Sequence, residues 1–276
     1  MDGTTTIDWD DAYANGPHIA GGADYPARWQ AEAAAWREAM RQTGGLREDL
    51  AYGAGARARF DLFLPAGPPR GLMVFVHGGF WMRLDKSYWS HLARGALLRG
   101  FAVAVPSYDL CPQVRIAEIT RQVAAAIEAA AHEVAGPIHL AGHSAGGHLV
   151  TQTLVTATPL APALWPRLRK VVSISGLHDL RPLMRTAMNA TLRLDLDEAR
   201  AQSAALQEPR PGVDLTCWVG ADERPEFVRQ NALLANVWRG FDIRVDGVEE
   251  PRRHHFDIVA GLADPDHPLT ERLLAG

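Results

Sequence analysis

Pro137-Ile138-His139-Leu140-Ala141-Gly142-His143-Ser144-Ala145-Gly146-Gly147-His148-Leu149-Val150-Thr151-Gln152-Thr153-Leu154 passes from a short apolar strand signal, through a glycine-rich turn, into apolar residues at helical spacing. The turn, Gly142 to Gly146, reads G-x-S-x-G between a strand and a helix. A chain reversal that tight admits only small residues beside the serine, and it lifts the hydroxyl above the edge of the sheet. The start of the following helix presents its unsatisfied N–H groups at the same point. Glycines and serine meet by chance in many chains, so the flanking strand and helix are what make Ser144 a candidate nucleophile.

Outward from this turn, strand and helix signals alternate. Ala58 to Leu64 alternates apolar and polar residues, and Leu72 to Val76 and Phe101 to Val105 read as buried strands. Later strands are expected at Val171 to Ser175, Leu215 to Val219 and Asp242 to Val245. Helices are expected at Pro26 to Arg41, Lys86 to Arg99, Ile116 to Val134 (closed by Gly136-Pro137) and Phe227 to Trp238. The alternation predicts an α/β fold with a mainly parallel central sheet and helices on both faces. With no repeat, linker or low-complexity tract, residues 1–276 read as a single domain, of which 1–45 form an N-terminal extension. His178 to Pro211 is about twice the length of an ordinary crossover and follows a strand end, so 178–211 is expected to be a small lid insertion.

A serine hydroxyl becomes a useful nucleophile only when a base takes its proton and an acid holds that base in the right tautomer. In the chain order serine, acid, histidine, the acid follows a late strand and the histidine follows the last one. Gly220-Ala221-Asp222-Glu223-Arg224-Pro225 and Arg252-Arg253-His254-His255-Phe256-Asp257 occupy those places. Adjacent acids in an extended turn cannot both reach one histidine, and spacing leans toward Asp222 as the shorter. Of His254 and His255, the one touching the helix start at Phe256-Asp257-Ile258 is better placed. His77-Gly78-Gly79-Phe80-Trp81 follows a strand directly, and the N–H groups of Gly78 and Gly79, with that of Ala145, are suited to binding an oxyanion. His77 reads as a residue that fixes this loop.

Composition narrows the class. The chain is 47% hydrophobic over 276 residues, enough for one large core, and its net charge of −4 is dispersed, which argues against nucleic acid or an anionic membrane as partner. Met1 to Asp11 holds four aspartates and no apolar leader core. No run reaches the ~18 apolar residues of a membrane span. Cys111 and Cys217 suit a reduced cytoplasm better than a disulfide framework. The 11 histidines include His139, His143 and His148, but neither H-E-x-x-H nor C-x-x-C occurs, so no metal or cofactor is expected.

These motifs resemble the α/β-hydrolase superfamily from about residue 45 to the end. Within it, they are most similar to the arylformamidase (kynurenine formamidase) group and its esterase-like bacterial relatives. The likeness rests on His77-Gly78-Gly79-Phe80-Trp81, where an aromatic breaks the lipase-type glycine run, and on Tyr108 with Pro112. It rests also on Gly142 to His148, Ser175 to Pro182, Glu223-Arg224-Pro225-Glu226-Phe227 and His255-Phe256-Asp257, with Asp11-Ala12-Tyr13-Ala14-Asn15-Gly16 echoing the bacterial subgroup. The resemblance implies a catalytic set of Ser144, Glu223 and His255, with Asp222 as the alternative acid. It implies an oxyanion hole of Gly78, Gly79 and Ala145, and substrate contacts from Phe80, Trp81, Tyr108 and His143. The implied reaction is hydrolysis of an aryl formamide, such as N-formylkynurenine to kynurenine and formate in tryptophan catabolism. A broad short-chain carboxylesterase is the alternative, and a non-catalytic binding protein on the same fold is a third reading.

Overall fold

Leu72-Met73-Val74-Phe75-Val76 is buried along its whole length, as a strand covered on both faces must be. In the computed structural model, which describes residues 7–275, this strand lies near the middle of an eight-stranded sheet. The strands are β1 (Leu46–Ala51), β2 (Arg59–Phe63), β3 (Leu72–Val76), β4 (Ala102–Pro106), β5 (Ile138–His143), β6 (Leu168–Ile174), β7 (Asp214–Gly220) and β8 (Arg244–Glu250). Their spatial order is β1-β2-β4-β3-β5-β6-β7-β8; β2 runs antiparallel to both β1 and β4, and the other pairs are parallel. The helices are α1 (Trp9–Ala12), α2 (Tyr25–Gln42), α3 (Ala93–Leu98), α4 (Ile116–Glu133), α5 (Ala145–Gln152), α6 (Asn189–Leu192), α7 (Leu196–Ala201), α8 (Pro225–Trp238) and α9 (Pro268–Leu274).

The period of two along each strand sorts side chains onto two cores. Leu72, Val74 and Val76 pack with Ile119, Val123 and Ile127 of α4, Leu149 of α5 and Phe227 and Leu234 of α8. Met73 and Phe75 point the other way, toward Ala93 and Ala96 of α3, Leu269 and Leu273 of α9 and Trp29 of α2. Both faces are thus covered by apolar helix stripes, and the C-terminal strand ends carry the loops of interest.

Two expectations are corrected, and one strand appears that none covered. Leu46–Ala51, just past the 1–45 extension, is an edge strand with mostly exposed side chains and so carries no apolar signal. The strand expected over Asp242 to Val245 is Arg244–Glu250, whose polar, half-exposed residues hide its far end. The helix expected over Lys86 to Arg99 is two short 3₁₀ turns, Lys86–Tyr88 and Ser90–Leu92, followed by α3. The expectation drawn on Met1 to Asp11 falls partly outside the described residues. Among the described residues no helix is long and apolar enough to cross a membrane. Cys111 and Cys217 are buried free thiols.

Candidate active site

At the end of β5 the chain reverses so sharply that Ser144 adopts φ 56° and ψ −117°, a conformation that a non-glycine residue rarely takes. The small neighbours are compulsory. A Cβ on Gly146 would stand 1.9 Å from the Val76 carbonyl oxygen, and one on Gly142 would stand 2.1 Å from that of Gly146. The Ser144 N–H donates to the Ile174 carbonyl at 2.8 Å, which locks the turn to β6.

The loop after β3 comes up against this serine. A Cβ on Gly78 would lie 2.9 Å from that of Ser144, so only a bare backbone fits between them. Gly79, Phe80 and Trp81 all have positive φ (116°, 51° and 57°), which turns the backbone toward the top of the sheet. Among the described residues, the N–H groups of Gly78, Gly79 and Ala145 donate to no acceptor. Uncommitted donors close to the elbow serine are suited to stabilise negative charge that develops there.

Buried side chains hold this loop in its strained form. Tyr108 donates its hydroxyl to the His77 carbonyl at 2.8 Å and stacks on the His77 ring at 4.3 Å, while His77 Nδ1 lies 2.7 Å from the Gly78 carbonyl. Burial pushes the His77 imidazole down to about 4, so it stays neutral at ordinary pH. Trp81 donates Nε1–H to His148 Nδ1 at 3.3 Å, and His148 Nε2 reaches the Gln202 carbonyl at 2.7 Å.

The loops after β7 and β8 are zipped together. The Ala221 and Asp222 N–H groups donate to the Glu250 and Arg253 carbonyls, and a Cβ on Gly220 would meet the Arg253 oxygen at 2.2 Å. This approach brings Glu223 Oε2 to 2.6 Å from His255 Nδ1. Glu223 Oε1 accepts from Ser175 Oγ at 2.5 Å and from the Gly220 N–H at 2.9 Å. The Glu223 side chain has no solvent exposure, whereas Asp222 is exposed. Of the two adjacent acids, then, geometry pairs Glu223 with the histidine. His254 is engaged elsewhere: its Nδ1 accepts from the Phe256 and Asp257 N–H groups, and its Nε2 faces the Tyr25 hydroxyl at 3.1 Å. His143 sets its Nε2 2.9 Å from the His255 carbonyl and its ring 4.7 Å from the His255 ring. Burial holds the His143 imidazole well below its ordinary range, which keeps it a neutral prop.

Ser144 and His255 open together onto a cavity of about 740 Å³. Gly78, Gly79, Phe80 and His143 line it as expected, and Ala145 lies just behind the serine. Tyr108 and Trp81, expected as substrate contacts, do not reach it: both are fully buried behind the loop they brace. The lid expectation shifts too, because only Met188 of residues 178–211 touches the cavity. Most of the remaining wall comes from the N-terminal segment, with Asp10, Tyr13, Asn15, Pro26 and Trp29, facing Trp89 and Phe256. That segment is strapped down by Tyr13 donating to Glu226 Oε1 at 2.8 Å, in a contact buried among Gln230 and Arg229, and by Arg224 pairing with Asp11. Burial, reinforced by the Glu226 carboxylate, raises the Tyr13 hydroxyl above its ordinary range, so it remains a donor. The sequence signal for this wall was Asp11 to Gly16, a motif of the resemblance with no role attached. Among the described residues no group of three or more His, Cys, Asp or Glu side chains gathers as a metal site.

Comparison with known proteins places this geometry. The sequence profile of the alpha/beta hydrolase family matches residues 73–275. Kynurenine formamidase of Danio rerio is 27% identical over 237 residues, covering 82% of this chain and 80% of that protein. The kynurenine formamidase of Salmo salar is 27% identical over 255 residues, covering 87% and 86%. The crystal structure of a candidate thioesterase from Silicibacter sp. TM1040 superposes with a TM-score of 0.93 at 50% identity, covering 98% of this chain and all of that one. With a family match over most of its length, the chain belongs to the α/β hydrolase family and is a hydrolase enzyme.

Proposed function

We propose that this hydrolase removes a formyl group from an aromatic amine, with N-formylkynurenine as the model substrate, by way of an acyl-enzyme on Ser144. The observation that carries the reading is the aromatic wall: Tyr13, Trp29, Phe80, Trp89 and Phe256 surround the cavity that holds Ser144 and His255. Such rings offer stacking and edge contacts to an aryl leaving group. The pressed-in backbone of Gly78 beside Ser144 leaves little room on the acyl side, which suits the smallest acyl group. Similarity to two fish kynurenine formamidases over four-fifths or more of each chain supports the same substrate class.

On this reading His255 takes the Ser144 proton as Oγ attacks the formyl carbon. Glu223 fixes the proton-bearing Nδ1 and stabilises the imidazolium that forms. The N–H groups of Gly78, Gly79 and Ala145 receive the oxyanion, each contributing ~3–4 kcal/mol to lowering the barrier. His255 then delivers its proton to the departing nitrogen, and water releases formate from Ser144 by the same steps reversed. The substrate is a free small molecule in the cytoplasm, and the step belongs to tryptophan breakdown.

A second reading, a short-chain esterase or thioesterase, is favoured by the 50% identity to the candidate thioesterase from Silicibacter. The same groups would acylate from an ester or a thioester. The deciding experiment measures kcat/KM for N-formylkynurenine, p-nitrophenyl acetate and an acetyl thioester on wild type and Ser144→Ala. A Ser144-dependent value above ~10⁴ M⁻¹s⁻¹ on the formamide, in the ordinary enzyme range, supports the formamidase. Slow formamide cleavage beside fast ester or thioester cleavage selects the second reading.

A further inference from the structure

Asn15 is a buried polar residue, 6% exposed, that forms part of the wall beside His255. Its Nδ2 is enclosed and has no hydrogen-bond partner, and among the described residues its Oδ1 accepts no hydrogen bond either. Buried amide nitrogens in folded proteins nearly always find partners, so an enclosed Nδ2 with none calls for an explanation. Its location supplies one. A smaller cavity of about 230 Å³ lies on the far side, lined by His18, Asp222, Glu223, Arg224 and His254. Asn15 and His255 are the two residues common to both cavities. Elsewhere in the wall the Tyr13 hydroxyl is engaged by Glu226 and His143 Nε2 by the His255 carbonyl, while His143 Nδ1 and Trp89 Nε1 are enclosed without partners as Asn15 Nδ2 is. Of these three residues only Asn15 carries an amide oxygen that can accept. A half-turn of the Asn15 amide about its last torsion breaks no protein hydrogen bond, so either end can be presented to a substrate.

We propose that Asn15 is a substrate-contacting residue whose Oδ1 accepts the N–H of the scissile amide and thereby orients the leaving nitrogen toward His255. The proposal rests on the formamidase reading and deepens it. An amide nitrogen differs from an ester oxygen in one decisive respect. Once the carbonyl becomes tetrahedral, the nitrogen carries one N–H and one lone pair, and only the lone pair can take a proton. In the step concerned, the Ser144 Oγ–carbon bond has formed and its proton sits on His255 Nε2. The C–N bond then breaks as that proton moves to the nitrogen lone pair, and the aryl amine departs neutral while the carbonyl re-forms. If the N–H points at His255 instead, the proton has nowhere to go and the intermediate reverts to substrate. An acceptor beside His255 that holds the N–H away from it favours the productive orientation. An ester has no N–H to hold, so the contact is silent there.

The test pairs two substrates that share the acyl group and the ring, formanilide and phenyl formate, on wild type, Asn15→Ala and Asn15→Asp. The expected result is a fall in kcat/KM of roughly 10- to 100-fold for formanilide in Asn15→Ala, carried mostly by kcat, with phenyl formate changed by less than about 3-fold. Retained ester cleavage also reports that the variant is folded with its catalytic groups in register. Asn15→Asp keeps an acceptor oxygen and is expected to recover a good part of the formanilide rate. Equal losses on both substrates in Asn15→Ala, or an Asp variant as poor as Ala, overturn the role proposed for Asn15 and leave the formamidase reading standing. A wild type that cleaves phenyl formate but not formanilide removes the formamidase reading, and this proposal with it.

Discussion

Ser175 Oγ and Glu223 Oε1 stand 2.5 Å apart, on the edge of the carboxylate remote from the one that meets His255. Ser175 itself has φ 52°, held there by its N–H bond to the Trp218 carbonyl. With the Gly220 N–H, it leaves Glu223 one free oxygen, and that oxygen faces the histidine. Glu223→Gln is therefore expected to lower kcat by at least ~10³-fold, because an amide cannot hold the imidazolium as a carboxylate does. Asp222→Asn, on an exposed side chain, is expected to change kcat less than 2- to 3-fold, within the ordinary span of surface substitutions. Steady-state kinetics on the two purified variants settle the ranking, and the reverse order would move the acid to Asp222.

The elbow makes a prediction about folding rather than rate. Gly146→Ala must place a methyl group 1.9 Å from the Val76 carbonyl oxygen, with backbone on both sides. A loss of more than ~3 kcal/mol, or insoluble protein, is expected from overpacking of this kind. Gly67→Ala, where nothing lies within 4 Å, is the matched control and should be near neutral. Urea midpoints of the two variants make the comparison.

Trp81 supports the oxyanion loop from below. Trp81→Phe keeps the ring but removes the donor to His148 Nδ1, leaving a buried acceptor unpaired at a cost of ~1–3 kcal/mol. With its anchor gone, the positive-φ stretch Gly79 to Trp81 is expected to lose alignment, so kcat should fall several-fold with KM little changed. A variant that loses thermal stability but keeps full kcat would show that the anchor serves the fold alone.

Acid stability follows from the buried histidines. Burial pushes His77, His139 and His148 down to about 4 and His178 to about 3. Their ordinary value, and that of the unfolded chain, is ~6.5. Above that pH neither form binds the extra protons and these groups are neutral to stability. As pH falls from about 6.5 toward 4, the unfolded chain takes them up and the folded chain does not. The stability present at neutral pH is then lost by up to ~1.4 kcal/mol per histidine per pH unit. Urea midpoints at pH 7.5, 6, 5 and 4.5 are expected to drop progressively; a midpoint unchanged down to pH 5 would contradict this account.

The order of elements and the neighbourhood of the candidate site were legible because both are written in periodicity and turn chemistry. Ser144 is marked by glycines that a tight turn requires, and Phe101 to Val105 by apolar continuity that a two-sided sheet requires. What escaped was set by side-chain direction or by contacts distant in sequence. Asp222 and Glu223 are equivalent as a sequence pair, and only the backbone zip between the loops after β7 and β8 turns one inward. Trp81 and Tyr108 sit beside the right loop but point beneath it. Leu46–Ala51 pairs with β2 through its backbone while Arg47, Glu48 and Asp49 face water, so a pattern based on apolar residues passes it over. The length of 178–211 suggested a cover for the site, yet the insertion gives the cavity only Met188, and a segment more than a hundred residues upstream of the serine supplies most of the wall instead.

The N-terminal wall divides the labour of the molecule along its sequence. Ser144, Glu223 and His255 fall within the stretch shared with the wider hydrolase family, residues 73–275, whereas Tyr13, Asn15 and Trp29 precede it. On the proposed reading, the groups that break the bond lie inside that matched block and the wall that selects what is broken lies ahead of it, joined by a few straps such as Tyr13 to Glu226 and Arg224 to Asp11. Diversification can then proceed by rewriting some twenty residues ahead of the sheet, leaving the strained elbow untouched. Two family members with indistinguishable reaction centres can accordingly differ in diet through a part of the chain that a comparison of those centres never inspects.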